Sequence, residues 1–213
     1  MNDRTAKVAN GAGVWRDYAD AFLPPLLQAA LDCFVEHGYH GTTIRTVAAR
    51  AGLSVPGLYH HYHSKQALLV SIMQFAMQDL LARSEDALSE AGAAVEDRFQ
   101  RLIECLVLFH AHRSELAFIA ASEIRSLEGE ARNAHIASRD KQQQMVDYVV
   151  NQGVVEGVFT TEYPKETSLA IVTMCTGVAQ WYHRDGALSP EELAARYGYI
   201  ARMTLGRPGL LGV

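Results

Sequence analysis

The chain has 213 residues, 49% of them apolar, and a formal net charge of −5. That is enough apolar material for one larger or two small domains with a real core, and no apolar run approaches the ~18 residues of a membrane span. The N-terminus lacks the basic start and apolar stretch of a signal peptide, so a cytoplasmic protein is expected.

Residues 1–20 are rich in small residues, with Gly11 and Gly13, and read as a flexible arm. Arg4, Lys7 or Arg16 on such an arm is a candidate for the DNA minor groove. Pro24 and Pro25 open the first firm helix, with Leu27, Leu31 and Phe34 on one face and Gly38 closing it. From Thr42 to Lys65 the chain reads TTIRTVAARAGLSVPGLYHHYHSK. Ile44, Val47, Ala48 and Ala51 fall at i, i+3, i+4, i+7, the spacing of an amphipathic helix. Thr42 or Thr43 is placed to cap it, and Gly52 to end it in a left-handed turn. Leu53 is expected to bury between two helices. Ser54 caps the second helix, and Pro56 sits in its first turn, where a missing N–H costs little. Two short helices joined this way form the helix-turn-helix unit, whose second helix enters the DNA major groove.

The next helix, from Ser64 to about Leu88, carries the apolar stripe Leu68, Leu69, Ile72, Phe75, Ala76 and Leu80. Ala91-Gly92-Ala93 breaks the pattern. Helical periodicity then continues over Val95–His110, Glu115–Leu127, Gly129–Gly153, Pro164–His183 and Pro190–Leu205. Ser189 with Glu192 makes a capping box, and Pro190 occupies the first position of the last helix. That helix repeats Leu193, Tyr197, Ile200 and Thr204 near a 3.5 period, which suits an intersubunit seam. Ala170, Gly177 and Ala179 on the preceding helix permit close helix approach. Cys33, Cys105 and Cys175 lie far apart in apolar contexts, where buried reduced thiols are expected.

The run from Leu26 to Leu69 resembles the DNA-binding region of the TetR family of bacterial transcriptional repressors. The resemblance is carried by Phe34-Val35-Glu36-His37-Gly38-Tyr39, Thr42-Thr43-Ile44-Arg45, Val47-Ala48, Ala51-Gly52-Leu53-Ser54, Leu58-Tyr59-His60-His61-Tyr62 and Ser64-Lys65. It covers about a fifth of the chain, and the ordered spacing makes it specific. It implies an all-α protein, with a three-helix head at 21–66 behind an arm at 1–20, and a larger helical ligand-binding and dimerisation domain at 67–213. It also implies phosphate contacts from the Thr43, Tyr59 and Lys65 positions, which fix register without reading bases. Arg45, Ser54, Val55, Pro56, Gly57, His60 and His61 complete the expected DNA-facing set. Val55, Pro56 and Gly57 depart from the polar or small residues usual in the family, so Val55 is expected on a thymine methyl and Gly57 at a close backbone approach. The charge balance is lean: between residues 16 and 65, Arg16, Arg45, Arg50 and Lys65 are matched by Asp17, Asp20, Asp32 and Glu36. Histidines 37, 40, 60, 61 and 63 add charge below neutral pH.

The family further implies a C2 homodimer on a double-stranded, pseudo-palindromic operator with half-sites near ~34 Å or a multiple apart. Candidate effector-lining residues are Leu106, Phe109, Phe118, Ile119, Met145, Tyr148, Val149, Met174 and Trp181, the apolar and aromatic types that line small-molecule sites. They are equally the types that fill a helical core. His110, His112 and Arg113 end one helix, where cations suit the dipole and an anionic effector has a polar mouth. The Phe109–Leu127 and Trp181-Tyr182 phrases resemble TetR-type regulators of acyl-thioester and steroid catabolism. The expected effector is then an acyl-coenzyme A whose phosphates meet Arg113, Arg125 or Arg184. Catalysis is not expected. No GxSxG, HExxH, P-loop or Rossmann fingerprint is present, and His60-His61-x-His63 has the wrong helical spacing for a shared metal. Neither a cofactor nor a metal is expected. The competing reading is a dimeric DNA-bound interaction protein that works through a protein partner.

Overall fold

The computed structural model describes residues 14–19 and 23–206, and among these no strand occurs. The helices are α1 (Pro25–Gly41), α2 (Ile44–Arg50), α3 (Val55–His61), α4 (Lys65–Glu90), α5 (Val95–His112), α6 (Ser114–Ser122), α7 (Gly129–Val155), α8 (Pro164–Trp181) and α9 (Pro190–Thr204), with 3-10 turns at Val14–Arg16 and Glu123–Ser126. The all-α architecture expected from periodicity is what forms. Most ends fall within a few residues of the pattern-based limits. The Glu115–Leu127 helix instead divides into α6 and a 3-10 turn.

The chain packs as two units: Ala19–Asp79 with Arg113–Arg139, and Met1–Tyr18 with Leu80–His112 and Asp140–Val213. In the first, Leu27, Leu31 and Phe34 of α1 meet Val47 and Ala48 of α2, Leu58 of α3, and Leu68, Leu69, Ile72 and Met73 of α4. Each such side chain, fully removed from water, contributes roughly 1.5–3 kcal/mol. Leu116, Ile119 and Ala120 of α6 and Leu127 after it belong to the same core. The helix-turn-helix therefore shares its packing with residues 113–139 as well as with α1 and the start of α4.

In the second unit α5 is the central element, packing against both α8 and α9. Phe99, Leu102, Ile103, Cys105 and Leu106 are all within 1% of complete burial. The capping box at α9 forms as its sequence demands: Glu192 N–H donates to Ser189 Oγ at 3.1 Å, and Ser189 N–H to Glu192 Oε2 at 2.9 Å. The three cysteines are free and buried, and burial pushes the Cys175 thiol up to about 12.

Residues 1–13, including Arg4 and Lys7, lie outside the described residues. Residues 14–18 are not an arm. Trp15 is buried, and its Nε1–H donates to Glu90 Oε2 at 2.6 Å. Arg16 donates to Glu90 at 2.8 Å and to Glu104 at 2.7 Å, so it is held against carboxylates and not presented to a minor groove. The buried Arg83 guanidinium donates to the carbonyls of Trp15 (2.6 Å) and Asp17 (2.9 Å) and lies over the Tyr18 ring. Tyr18 in turn stacks on His112 with centroids 4.4 Å apart. Burial works to raise the Glu90 pKa, but the hydrogen bonds from Arg16 and Trp15 outweigh it and hold the carboxyl below its usual range.

Candidate nucleic-acid interface

The frame of the head begins where α1 stops. Gly38 adopts φ 71°, ψ 160°, a conformation open to glycine and closed to most side chains, and it breaks the helix geometry. The carbonyls left beyond that break need donors. The Thr42 hydroxyl, 1% exposed, lies 2.9 Å from Cys33 O and 2.8 Å from Gly38 O. Lys65 Nζ reaches across to donate to Tyr39 O at 2.7 Å and Thr42 O at 2.9 Å, and it lies over the Tyr39 ring. Thr43, not Thr42, caps α2, accepting from Thr46 N–H at 3.1 Å. Gly52 takes φ 68° in the turn, and Leu53 N–H closes it onto Ala48 O at 2.9 Å. Ser54 caps α3, accepting from Gly57 N–H at 3.1 Å. These local bonds fix α3 relative to α2 without any help from DNA.

The expected DNA-facing residues differ in exposure. Thr43, Arg45, Ser54, Pro56, Tyr59, His60 and His61 are exposed. Gly57 is half-buried, and a Cβ there would come 3.1 Å from Ser54 Oγ. Val55 is half-buried and packs against the head core, so part of its side chain is used inward. Two expectations change. Leu53 is exposed, and it is Leu58 that fills the space under the turn. Lys65, expected on a phosphate, instead donates to the carbonyls of Tyr39 and Thr42, beyond the break at Gly38.

That inward role gives a test which separates it from phosphate contact. Lys65→Met is expected to lower stability by about 2 kcal/mol, since hydrogen bonds from a charged donor contribute about 1.5–3 kcal/mol each and Lys65 is partly solvated. Thermal unfolding reads this directly. An unchanged melting temperature combined with a salt slope of DNA binding smaller by about one would restore the phosphate role.

Arg50, the other cation of α2, pairs with Glu36 of α1, and its hydrogen bond holds the Glu36 carboxyl below the usual range. Arg45 has no carboxylate partner among the described residues. Among those residues no group of three His, Cys, Asp or Glu is placed to hold a metal ion, and no helix is long and apolar enough to cross a membrane.

The expected effector-lining residues separate. In the second unit Leu106, Phe109 and Val149 are buried core, and Met145 and Met174 are half-buried. Tyr148 and Trp181 are exposed at 62% and 50%, which does not suit an enclosing wall. Trp181 lies along Tyr197 with centroids 6.3 Å apart. In the first unit Ile119 is core, while Phe118 and Arg125 are exposed, and Arg113 precedes α6. His110 does not provide a cationic mouth: complete burial pushes its imidazole down to about 4, and the hydrogen bond to Leu106 O offsets only part of that. The sequence reading missed Trp15, Arg83 and Thr42 as organising residues. Only a lone tryptophan beside glycines, and an arginine inside an apolar stripe, hinted at the first two.

Comparison with known proteins agrees with this geometry. Residues 26–72 match the model for bacterial regulatory proteins of the tetR family, and residues 92–205 match the tetracyclin repressor-like C-terminal domain. The HTH-type transcriptional repressor KstR2 of Mycobacterium tuberculosis is 30% identical over 175 residues, covering 81% of this chain and 86% of its own. The TetR family regulator PfmR of Thermus thermophilus superposes with a TM-score of 0.78 at 29% identity, covering 85% of this chain and 99% of its own. AibR, solved in complex with isovaleryl coenzyme A and operator DNA, has the same fold, with a TM-score of 0.74 at 24% identity over 85% of this chain and 97% of its own. The capped helix-turn-helix at residues 43–61, the family match that spans it and the match to the C-terminal domain lead to one conclusion: the chain belongs to the TetR family and is a DNA-binding transcriptional repressor, not an enzyme.

Proposed function

We propose that this protein is a cytoplasmic homodimer that holds a palindromic operator and releases it when a small-molecule effector binds. The observation that carries the DNA half of this reading is the exposed set Thr43, Arg45, Tyr59, His60 and His61 on a helix pair pinned by its own caps. Dimerisation is supported by α8 and α9. They leave Leu169, Trp181, Tyr199, Ile200 and Met203 between 45% and 66% exposed, apolar side chains that a partner copy would cover. A C2 pairing through these helices presents two reading heads, as a two-fold operator requires.

The effector we assign is an acyl-CoA or a related lipid or steroid catabolite. Support comes from relatives: KstR2 has been solved as a ketosteroid transcriptional regulator, and AibR with isovaleryl coenzyme A. Release requires that the effector prefer the non-binding conformation, by about 1–3 kcal/mol for a typical allosteric coupling. Selection of bound duplexes from a random pool, repeated with a panel of acyl-CoA thioesters, tests all three parts. A palindrome should be enriched and then lost with one of the thioesters, and the protein should elute as a dimer. Enrichment of no palindrome would favour the interaction-protein reading instead, and retention of DNA with every thioester would remove the acyl-CoA assignment.

A further inference from the structure

The reading head is short of permanent positive charge where it meets DNA. Residues 23–66 contain three cations, Arg45, Arg50 and Lys65, and two carboxylates, Asp32 and Glu36. Arg50 is spent on Glu36, and Lys65 on the carbonyls of Tyr39 and Thr42. Arg45 is what remains. Phosphate binding without cations is weak, because the release of condensed counterions is driven by charge neutralisation.

His60 and His61 at the end of α3 and His63 two residues beyond are all exposed. The rings of His60 and His61 lie edge to face with centroids 5.7 Å apart. We propose that His60, His61 and His63 in their protonated form supply most of the operator-facing charge of the head, so that DNA affinity is set by pH. This rests on residues 42–65 being the DNA interface. The charged and titratable groups on the elements around them are Arg45 and Arg50 on α2, Tyr59 on α3, Lys65 at the start of α4, and Asp32, Glu36, His37 and His40 on α1. Glu36 faces Arg50, and His40 lies 3.4 Å from the Ser126 hydroxyl, not on α3. Imidazole changes charge between about pH 5 and 8. A phosphate beside it favours the charged form, so DNA binding and proton uptake assist each other.

The buried histidines do not confuse the measurement. Burial pushes His110 down to about 4, and His135 is lowered first by burial and then by Arg139. For both, burial disfavours the charged form.

The test uses the full chain and a labelled random-sequence duplex of about 30 base pairs, with fluorescence anisotropy at about pH 6 and about pH 8 and fixed salt. The wild type should bind at least about tenfold more tightly at the lower pH, with a steeper salt dependence. The triple variant His60→Gln/His61→Gln/His63→Gln should lose most of that ratio, while His183→Gln, on the other unit, should keep it. A wild-type ratio near one, or a triple variant that keeps the full ratio, overturns the proposal. Calorimetry of the wild type near pH 7 in two buffers of different ionisation enthalpy gives an answer that needs no variant. Uptake of about two or more protons per dimer is expected, and uptake of none overturns the proposal. Absence of DNA binding at both pH values would sink the DNA reading itself, an outcome distinct from binding that ignores pH.

Discussion

Trp15→Ala is expected to lower the stability of the protein by about 3–5 kcal/mol, the usual cost of truncating a fully buried tryptophan. The ring is 1% exposed, and its indole N–H is a hydrogen-bond donor to Glu90. Its carbonyl accepts from Arg83, and the Arg16 guanidinium lies 3.7 Å from its ring centroid. Alanine would open a cavity and loosen the bonds that Arg16 makes to Glu90 and Glu104. Chemical denaturation measures the loss. Fluorescence gives a second readout, since the chain has two tryptophans and the other, Trp181, is half exposed. The variant should lose its blue-shifted emission and keep the emission of a solvated indole. A stability change below about 1 kcal/mol would show that residues 14–18 are dispensable to their unit.

Acid should destabilise the protein through His110. The folded state holds this imidazole at about 4, against an ordinary value of 6.5, because the neutral ring is completely buried in α5. Between those two values the unfolded chain binds more protons than the folded one, so stability falls as pH falls through that window. The sign is opposite to that of a histidine with a carboxylate partner. The full difference amounts to about 3 kcal/mol, most of it spent by about pH 4.5. His110→Phe removes the titration while filling similar space. The difference in unfolding free energy between the two proteins should therefore shift by about 2–3 kcal/mol toward the variant between about pH 7 and pH 4.5. A difference that stays constant over that range would mean that His110 is protonated or solvated in the folded protein.

The parts of this fold that were legible in the sequence are those whose physics is local. Ser54, Gly52 and Ser189 announce a cap, a left-handed turn and a capping box within four residues of where each acts, and all three form as the spacing demands. The apolar stripe Leu68, Leu69 and Ile72 reads as a buried face and is one. What the sequence hid depends on contacts across distance. Lys65 is 23 and 26 residues from the carbonyls that hold it. Nothing in Ser64-Lys65 signals that the break at Gly38 will bring those carbonyls within its reach. Trp15 and Arg83 are 68 residues apart, so nothing local announces that Trp15 and Asp17 are held by a buried guanidinium. The exposure of three aromatic residues expected as effector contacts was hidden for a different reason. Tyr148, Phe118 and Trp181 have the right chemistry, but composition alone does not say which side of a helix faces water.

The bonds at the end of α1 also bear on how such a protein changes its target. Thr42, Lys65 and Leu58 hold the two reading helices in register from beneath, whereas Arg45, Tyr59, His60 and His61 face outward. Replacing any of the outward four removes no inner support. On the function proposed above, substitutions at these four positions are expected to alter DNA binding while leaving the head folded.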